Sequence, residues 1–424
     1  MKSFITGFKG QLGYDLAKEL CKRGENEITV SDRSELDEEI NKRSISLMEN
    51  ENLNYSSLDI TDKDAVIDLI KSVKPDVIFH CAAWTNVDGA EDNYDACYKV
   101  NVIGTKNLTE AAREIGAKII YISSDYVFDG TKEGTYSETD KTNPLNAYGK
   151  TKFLGEEEVR KYEKHYVVRI SWVYGINGNN FVKTMLKLSE SHNTLTVVND
   201  QIGSPTYTKD VSRLLVDMAK TDKYGTYHGT NEAYCSWADF AREIFKINKK
   251  DVNVVGVTTE EYYRGKKIAK RPLNSKLSKA KLKNAGFDLL PTWKDALVRY
   301  SDELENEKEK KETEPQKKDV IIGDGVLTVD DLKKEYNYIF DRDGGIVTAR
   351  KVEKREEGGK RVTDYLFFKD KDGIVTPIPE LSYMEEGDIN NGYYHSSSSK
   401  SYSETRNGSH AFDVHEWEVE GYDE

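Results

Sequence analysis

The first 170 residues of the chain alternate short apolar runs with segments whose apolar residues recur every three or four positions. The apolar runs predict buried strands, and the recurring pattern predicts amphipathic helices. Strands separated by helices of this length are typical of parallel βαβ units with helices on both faces of one sheet. The sequence therefore predicts an α/β fold with a doubly wound parallel sheet. The predicted strands are Ser3–Ile5, Glu27–Val30, Pro75–Cys81, Lys118–Ser123 and Tyr166–Ile170, and the predicted helices are Gln11–Lys22, Asp62–Ser72, Asp95–Ile115 and Tyr148–Tyr162.

The pattern is less regular in two other places. Arg33–Asn54 is polar and charged, which predicts a long loop or a partly helical insertion. Beyond about residue 175 the mixture of elements is typical of a smaller α/β lobe, mostly over 175–300, that completes a cleft. The elements predicted for this lobe are the helices Phe181–Ser189, Val211–Ala219, Trp237–Phe245 and Trp293–Tyr300, the strand Leu195–Val198, and basic loops around Lys266–Arg271.

The last quarter of the chain has a different character. Ser301–Val320 has 13 charged residues of 20 and is predicted to be a linker, either helical or disordered. Tyr338–Thr348 and Tyr365–Thr376 are near copies, each with an aromatic strand, a DxDG turn and a β-branched strand. Each copy predicts a β-hairpin. Residues 321–424 are therefore predicted to be a mainly-β, acidic domain of unknown role.

Charge follows the same division. The net charge is −13, yet residues 1–300 carry 44 basic and 44 acidic side chains, so the whole excess lies in 301–424. The absence of a strongly basic balance argues against a nucleic-acid partner. No run reaches about 18 consecutive apolar residues, and Met1–Gly10 is too short and polar for a signal peptide. The four cysteines show no CxxC spacing, as expected of unpaired thiols in a reducing compartment. We expect a cytoplasmic protein without a membrane partner.

Three glycines follow the first predicted strand and open the first helix, in the order Gly7-Phe-Lys-Gly10-Gln-Leu-Gly13. Glycines at this place allow a tight turn and close approach of the backbone to a pyrophosphate, and the helix N-terminus attracts the phosphates. This predicts a Rossmann-type dinucleotide site, with an NAD(P)-binding core over about 1–170. Asp32 ends the second strand, where an acid binds the adenosine ribose, whereas the adjacent Arg33 suits a 2′-phosphate. NADPH and NADH therefore both remain open.

A second motif, Tyr148-Gly-Lys-Thr-Lys152, places a phenol and an ammonium on one helix face. A neighbouring ammonium favours the phenolate, so this tyrosine could exchange a proton near neutral pH. The strand before it ends at Ser123-Ser124-Asp125, which places Ser124 at the same crevice. A hydroxyl, a phenol and a lysine are thus predicted to converge on a carbonyl group.

These motifs, together with Asn101 in VNVIGT, resemble the extended short-chain dehydrogenase/reductases. More narrowly, residues 1–300 resemble the dTDP-4-dehydrorhamnose reductase family, and this resemblance covers about 70% of the chain. The segments that carry it are GFKGQLG (7–13), AAWTNVDGAE (82–91), SSDYVFDG (123–130), PLNAYGKTK (144–152), RISWVYG (169–175), GNNF (178–181), NDQIGSPT (199–206) and RPLNS (271–275).

The resemblance implies NAD(P)H-dependent reduction of the C4 keto group of dTDP-4-dehydro-L-rhamnose to dTDP-L-rhamnose, for surface polysaccharide synthesis. Tyr148 would protonate the developing alkoxide, and Lys152 would bind the nicotinamide ribose and lower the pKa of Tyr148. Ser124, where the family often has Thr, would hydrogen-bond the carbonyl oxygen. Asn101 would support a proton-relay water. The partner would be a nucleotide sugar, and the protein would be a monomer or a homodimer.

Further binding residues are implied by the same matches. The expected cofactor-binding residues are Gly7, Lys9, Gly10, Gln11, Leu12, Gly13, Asp32, Arg33, Asp59, Ile60, Ala82 and Ala83, with Tyr148 and Lys152. The expected substrate-binding residues are Thr85, Val87, Asp125, Tyr126, Trp172, Asn180, Gln201 and Arg271.

Alternatives share the fold. Another nucleotide-sugar reductase, an epimerase or a dehydratase would use the same core, but dehydratases carry an Asp-Glu pair after the catalytic hydroxyl, and here Tyr126 follows Asp125. A non-catalytic regulatory subunit would lack the intact Tyr148/Lys152 pair.

Metal sites are not indicated. Aligning the DxDG turn at Asp341 with an EF-hand puts Ile339 and Arg350 at ligand positions, where neither can bind calcium. His410 and His415 have no further histidine or cysteine to complete a shell. Mg²⁺ is kept only as an optional cofactor that no sequence pattern supports.

Overall fold

A computed structural model of the chain describes residues 1–25, 27–36, 42–266 and 268–313, and five strands between 338 and 388. The chain separates into two compact units, Met1–Thr313 and Glu314–Glu424.

The first unit is built on a seven-stranded parallel sheet. Its strands are β1 (Ser3–Thr6), β2 (Ile28–Asp32), β3 (Leu53–Ser57), β4 (Val77–His80), β5 (Lys118–Ser124), β6 (His165–Ile170) and β11 (Gly225–His228). They lie in the order β3-β2-β1-β4-β5-β6-β11. The first six positions follow the Rossmann order, in which the chain reverses direction across the sheet between β1 and β4. The predicted fold class is confirmed.

Helices cover both faces of this sheet. Successive strand residues pack into different apolar clusters, Phe4 and Ile78 into one and Ile5 and Phe79 into the other, because side chains alternate across a strand. The helices of this part are α1 (Gln11–Lys22), α2 (Lys42–Met48), α3 (Lys63–Val73), α4 (Val87–Asp92), α5 (Tyr94–Tyr98), α6 (Thr105–Ile115) and α7 (Ala147–Arg160). A π-helical turn (Lys99–Gly104) joins α5 to α6, and a 3₁₀ turn (Asp125–Val127) follows β5.

The smaller lobe consists of short two-stranded sheets and further helices. Its strands pair as β7 (Val173–Tyr174) with β10 (Thr206–Tyr207), β8 (Thr194–Val198) with β13 (Asn253–Val257), and β9 (Ile202–Gly203) with β12 (Cys235–Ser236). Its helices are α8 (Phe181–Leu188), α9 (Thr208–Ala219), α10 (Trp237–Ile247), α11 (Thr259–Tyr262), α12 (Ala280–Asn284) and α13 (Trp293–Thr313).

Several predicted boundaries differ from the structure. The helix predicted over Asp95–Ile115 is interrupted by the π turn, and the closing helix continues beyond Tyr300 into the predicted linker, as far as Thr313. The segment Arg33–Asn54 contains α2 and the start of β3, with 37–41 outside the described residues. The last strand of the sheet, β11, was not predicted, because its four residues, GTYH, have no apolar run.

The second unit contains an antiparallel sheet in the order β14-β15-β16-β17, with β18 also paired to β16. The two predicted hairpins correspond to the β14–β15 and β16–β17 pairs. The turns between them, the histidines at 410 and 415, the rest of the linker after Thr313 and the acidic end lie outside the described residues. The strands are β14 (Tyr338–Arg342), β15 (Ile346–Arg355), β16 (Gly359–Lys369), β17 (Val375–Pro377) and β18 (Met384–Asp388).

Two features are absent from the described residues, a membrane-spanning helix and a cluster of metal-binding side chains. No helix in this part of the chain is long and apolar enough to cross a bilayer. No group of three or more His, Cys, Asp or Glu side chains in the same residues is placed to hold a metal ion.

Candidate active site

The glycine turn joins β1 to α1 at the point where the sheet order reverses. Gly7 has a φ of 76°, and a Cβ atom there would lie 2.7 Å from the backbone nitrogen of Ala82, which follows β4. The N-cap residue of α1, Gly10, offers no side-chain cap, so the amides of the first turn are left for another acceptor. Uncapped amides and the helix dipole favour the binding of an anion. Because Gly7 has no side chain, none obstructs an anion at this turn. The turn therefore fits a dinucleotide pyrophosphate.

Asp32 lies beside this turn at the end of β2. Its Oδ2 accepts a hydrogen bond from the Lys9 amide at 3.0 Å, and its Oδ1 accepts one from the Arg33 amide at 2.9 Å. The Lys9 ammonium donates to the Ser34 hydroxyl at 3.0 Å. The structure thus brings the predicted ribose-binding acid, the Lys9 ammonium and the backbone of Arg33 to one edge of the turn.

Asp59 and Ile60 have local roles in the structure. The Asp59 carboxylate accepts from the amide and the hydroxyl of Thr61, at 2.9 and 2.8 Å, in the turn before α3. Ile60 packs so closely on Gly104 that a Cβ on that glycine would lie 2.6 Å from it. The predicted contact of these two residues with a cofactor stays a prediction.

Ser124 ends β5 at the same edge of the sheet. Its hydroxyl donates to Oδ1 of Asp125 at 2.9 Å and accepts from the Tyr126 amide at 3.1 Å. Asp125 is buried, and its Oδ2 has no hydrogen-bond partner among the described residues. Burial raises the pKa of Asp125 to about 6.

Helix α7 is fixed at its start by two side chains. The Asn146 Oδ1 caps it by accepting from the Gly149 amide at 2.7 Å, and Glu91 accepts from the Ala147 amide at 2.7 Å. A Cβ atom on Gly149 would lie 2.3 Å from the carbonyl oxygen of Tyr126, so only glycine lets the helix approach the turn after β5. This approach places the Tyr148 ring edge-on to that of Tyr126, with centroids 5.9 Å apart.

Burial is the main influence on the protonation of Tyr148. Burial raises the pKa of Tyr148 above its ordinary value, the charge of Asp125 adds to the rise, and the Ser124 hydroxyl opposes it. A protonated phenol is the form that the predicted proton donor needs. The lowering of this pKa by the Lys152 ammonium stays a prediction.

Lys152 follows one turn later on α7 and is buried. Its ammonium lies 4.2 Å from the centroid of the Tyr121 ring. Burial lowers the pKa of Lys152 to about 7, and the carboxylate of Glu156 opposes this shift. The site thus holds a lysine that changes charge near neutral pH.

Asn101 lies in the π turn and connects two parts of the site. Its Nδ2 donates to the Thr151 hydroxyl at 3.0 Å and to the Trp84 carbonyl at 3.2 Å, while its Oδ1 accepts from the Trp84 amide at 2.8 Å. Single π turns occur frequently at functional sites. The amide of Asn101 therefore ties α7 to the loop after β4, and the predicted role in a water relay stays a prediction.

The predicted substrate residues do not all lie together. Thr85 and Val87 flank the residue that caps α4, and Tyr126 lies against Tyr148. Trp172 has a φ of 50°, which is unusual for a bulky residue, and its ring stacks on Trp237 with centroids 3.7 Å apart.

Two other predicted substrate residues make contacts elsewhere. Asn180 donates to the Gln11 side chain at 3.0 Å and so lies beside the glycine turn, while Gln201 donates to the Thr259 hydroxyl at 3.0 Å within the smaller lobe. Their contacts with a nucleotide sugar stay predictions.

Arg271 lies close enough to Tyr126 for its charge to act on that phenol, and it is held by protein groups. Its Nη2 donates to Oδ2 of Asp88 at 2.7 Å, and its Nη1 donates to the carbonyl of Ala269 at 2.8 Å. Its guanidinium also lies 5.4 Å from the centroid of the Tyr263 ring.

Four residues with clear roles here were not predicted: Asn146, Glu91, Thr151 and Asp88. An Asn directly before a predicted helix is a capping signal, so Asn146 could have been found from the sequence. The other three form hydrogen bonds with residues 50 or more positions away in the sequence, and no local sequence pattern identifies such contacts.

The first 306 residues of the chain are similar to known proteins. The family model described as "RmlD substrate binding domain" matches residues 1–306. A dTDP-4-dehydrorhamnose reductase from Aggregatibacter actinomycetemcomitans is 42% identical over 307 residues, which is 69% of this chain and 96% of that protein. The spore coat polysaccharide biosynthesis protein SpsK of Bacillus subtilis is 37% identical over 71% of this chain and 97% of its own length.

A solved structure is similar as well. The dTDP-4-dehydrorhamnose reductase of Bacillus anthracis, in complex with NADP, is 38% identical with a TM-score of 0.62. The match covers 72% of this chain and 100% of that one.

Proposed function

The chain belongs to the RmlD substrate-binding-domain family, and from this membership we propose that its first 300 residues form an NAD(P)H-dependent dTDP-4-dehydrorhamnose reductase. The reaction reduces the C4 keto group of dTDP-4-dehydro-L-rhamnose and gives dTDP-L-rhamnose for surface polysaccharide synthesis. The relatives of that name and SpsK support this proposal.

The structural observation that supports the proposal most strongly is the grouping of three side chains at one end of the sheet. The hydroxyl of Ser124, the phenol of Tyr148 and the ammonium of Lys152 all belong to the carboxyl end of β5 and the helix that packs on it, next to the glycine turn. Ligands of open α/β sheets bind outside the carboxyl ends of the strands, where the order reverses. A carbonyl group held there would meet a hydroxyl donor and a protonated phenol together.

The proton comes from Tyr148. As the carbonyl carbon is reduced, its oxygen becomes an alkoxide, and the phenol of Tyr148 transfers its proton to that oxygen. The raised pKa of Tyr148 keeps the phenol protonated at neutral pH, which is the form that a reduction needs. Ser124 donates a hydrogen bond to the same oxygen and exchanges its present acceptor, Asp125, for the substrate.

The cofactor is held by the glycine turn and α7. The uncapped amides at the start of α1 bind the pyrophosphate, Asp32 or Arg33 binds the adenosine ribose end, and Lys152 binds the nicotinamide ribose. When bound, the reduced nicotinamide supplies the hydride. The cofactor is NADPH or NADH.

The sugar nucleotide lies between the two lobes. Thr85, Val87, Tyr126 and Trp172 line the sugar, and Arg271 binds the diphosphate. We place the enzyme in the cytoplasm as a monomer or a homodimer, with Mg²⁺ only as an optional addition. The dehydratase alternative is disfavoured because Tyr126 stands where a second acid would be needed.

The test is a turnover assay. Purified protein receives dTDP-4-dehydro-L-rhamnose with NADPH or NADH, and oxidation of the nicotinamide is followed by absorbance. We expect turnover that depends on the keto-sugar and is lost in Tyr148→Phe. The matched control is Tyr224→Phe, since Tyr224 lies near the amino ends of the strands and bonds only Asp222 through its hydroxyl in the described chain. No turnover by the native protein would contradict the proposal.

A further inference from the structure

Asp88 connects the two lobes of the first unit. It lies in the first turn of α4, and both of its carboxylate oxygens bond the segment 269–271 of the smaller lobe. Its Oδ1 accepts from the Ala269 amide at 3.0 Å, and its Oδ2 accepts from Nη2 of Arg271 at 2.7 Å. We call residues 269–271 the strap.

The middle residue of the strap, Lys270, also bonds the nucleotide-binding lobe. The carbonyl of Lys270 accepts from Nδ2 of Asn146 at 2.7 Å, and Asn146 is the residue that caps the helix of Tyr148. Three consecutive strap residues therefore each bond the nucleotide-binding lobe. The strap is positioned relative to the catalytic helix by these contacts.

The exposure of the Asp88–Arg271 pair shows whether it acts on stability or on the geometry of the site. Arg271 lowers the pKa of Asp88, so the carboxylate is charged at neutral pH. The Asp88 side chain is 49% exposed, whereas that of Arg271 is 15% exposed. A pair open to water on one side contributes little to stability, so its main effect is on the geometry of the guanidinium.

The guanidinium still has donors to offer. An arginine has five N–H groups, and among the described residues two of them have acceptors, one on Asp88 and one on the carbonyl of Ala269. The remaining groups are held in a fixed orientation, because the planar fork is fixed at two points and lies against the Tyr263 ring. A fixed fork suits the bidentate recognition of a phosphate.

We propose that Asp88 is a positioning residue for the diphosphate of a nucleotide ligand. It holds Arg271 at the crevice with its free N–H groups available, and this order is present before the ligand binds, which lowers the entropic cost of binding. Because Asp88 also bonds the strap backbone at Ala269, it remains in place when the guanidinium engages a phosphate. The inference rests on the proposed function for the choice of ligand, and its test does not need turnover.

The test measures binding of dTDP, a nucleoside diphosphate, to the protein saturated with NADPH, by titration calorimetry. Asp88→Asn keeps the size of the side chain and one acceptor oxygen but removes the charge. We expect dTDP to bind about tenfold more weakly to this variant, with NADPH affinity unchanged. Asp64→Asn is the control, since Asp64 is also exposed in the first turn of a helix. If the enzyme turns over, the KM for the nucleotide sugar should rise while kcat stays the same.

A double variant separates positioning from a general structural effect. In an Arg271→Gln background, Asp88→Asn should cause no further loss of dTDP affinity, because the group it positions is gone. Additive losses, or a weakened NADPH affinity, would overturn the inference. So would tighter dTDP binding by Asp88→Asn, which would mean that Asp88 competes with the phosphate for Arg271. Weakened dTDP binding without any turnover would leave the inference standing and reject the reductase proposal alone.

Discussion

The guanidinium of Arg169 donates to both carboxylate oxygens of Glu156, at 2.8 Å each, and both side chains are fully buried. Ser123, the neighbour of Ser124, donates to the same carboxylate at 2.5 Å. Glu156 follows Lys152 by one helical turn and opposes the lowering of its pKa. The pair therefore fastens α7 to β5 and β6 and favours the charged form of Lys152.

Removing the charge of Glu156 should destabilise the protein strongly. In Glu156→Gln the buried guanidinium of Arg169 loses its counter-ion, and breaking one side of a buried pair costs about 3–5 kcal/mol of the free energy of unfolding. The change can be measured by thermal unfolding. The control is Glu157→Gln, because Glu157 is half exposed and pairs with Arg160 at the surface, where we expect a change below about 0.5 kcal/mol. Equal losses in the two variants would contradict the importance of the buried pair.

Local sequence patterns were sufficient for much of this fold. Gln11–Lys22 forms a helix with the predicted bounds, since its apolar spacing and the glycines before it act within a few residues. The sequence also predicted that Ser124 and Tyr148 lie close together, because a strand that ends at Ser124 places this residue at the carboxyl edge of the sheet, near the helix that follows. In the structure the Ser124 hydroxyl is close enough to act on the pKa of Tyr148.

Features that depend on distant partners were not predicted. The pairing of β11 with β6 joins residues some 60 positions apart, and the Asp88–Arg271 bond spans 183. The protonation of Tyr148 depends on its burial, which a motif does not reveal. The sequence also indicated Asn180 and Gln201 without showing that they contact Gln11 and Thr259.

Asp32 should set the preference between the two cofactors. Its carboxylate lies at the predicted ribose end, where a negative charge repels a 2′-phosphate. Asp32→Asn keeps an acceptor for the Lys9 amide and removes the charge. We expect the ratio of kcat/KM for NADPH to that for NADH to rise about tenfold, or about 1.4 kcal/mol. The exposed Asp68→Asn is the control, and an unchanged ratio in the Asp32 variant would argue against a ribose contact.

Lys152 should make cofactor binding depend on pH. Its pKa in the free protein is about 7, and a bound dinucleotide, being anionic, favours the charged ammonium. The Kd for NADPH should therefore rise as the pH increases above 7, by up to about tenfold per pH unit. In Lys152→Met the affinity should be lower and this dependence absent. Fluorescence titration over the pH range measures both, and parallel profiles for the two proteins would exclude Lys152 as the titrating group.

Asp15 should limit stability at neutral and alkaline pH. It is buried in α1, its Oδ1 has no partner in the described chain, and burial raises its pKa from 3.8 to about 6. Because the folded pKa lies above the unfolded one, ionisation costs stability as the pH rises through 6. Asp15→Asn should gain about 2–3 kcal/mol over the native protein near pH 8 and lose that advantage near pH 4. Urea unfolding at both pH values measures it, and a difference independent of pH would refute the assignment.

The central claim is that the site reduces the C4 carbonyl of a nucleotide sugar, and the destination of the hydride tests it most directly. The protein is incubated with dTDP-4-dehydro-L-rhamnose and NADPH that carries deuterium at both hydrogen positions of C4 of the nicotinamide, so that either face transfers the label, and the product is examined by NMR and mass spectrometry. The account predicts dTDP-L-rhamnose with deuterium at C4 of the sugar, and no such product from Tyr148→Phe. Deuterium at another carbon, or a product without deuterium, would contradict it.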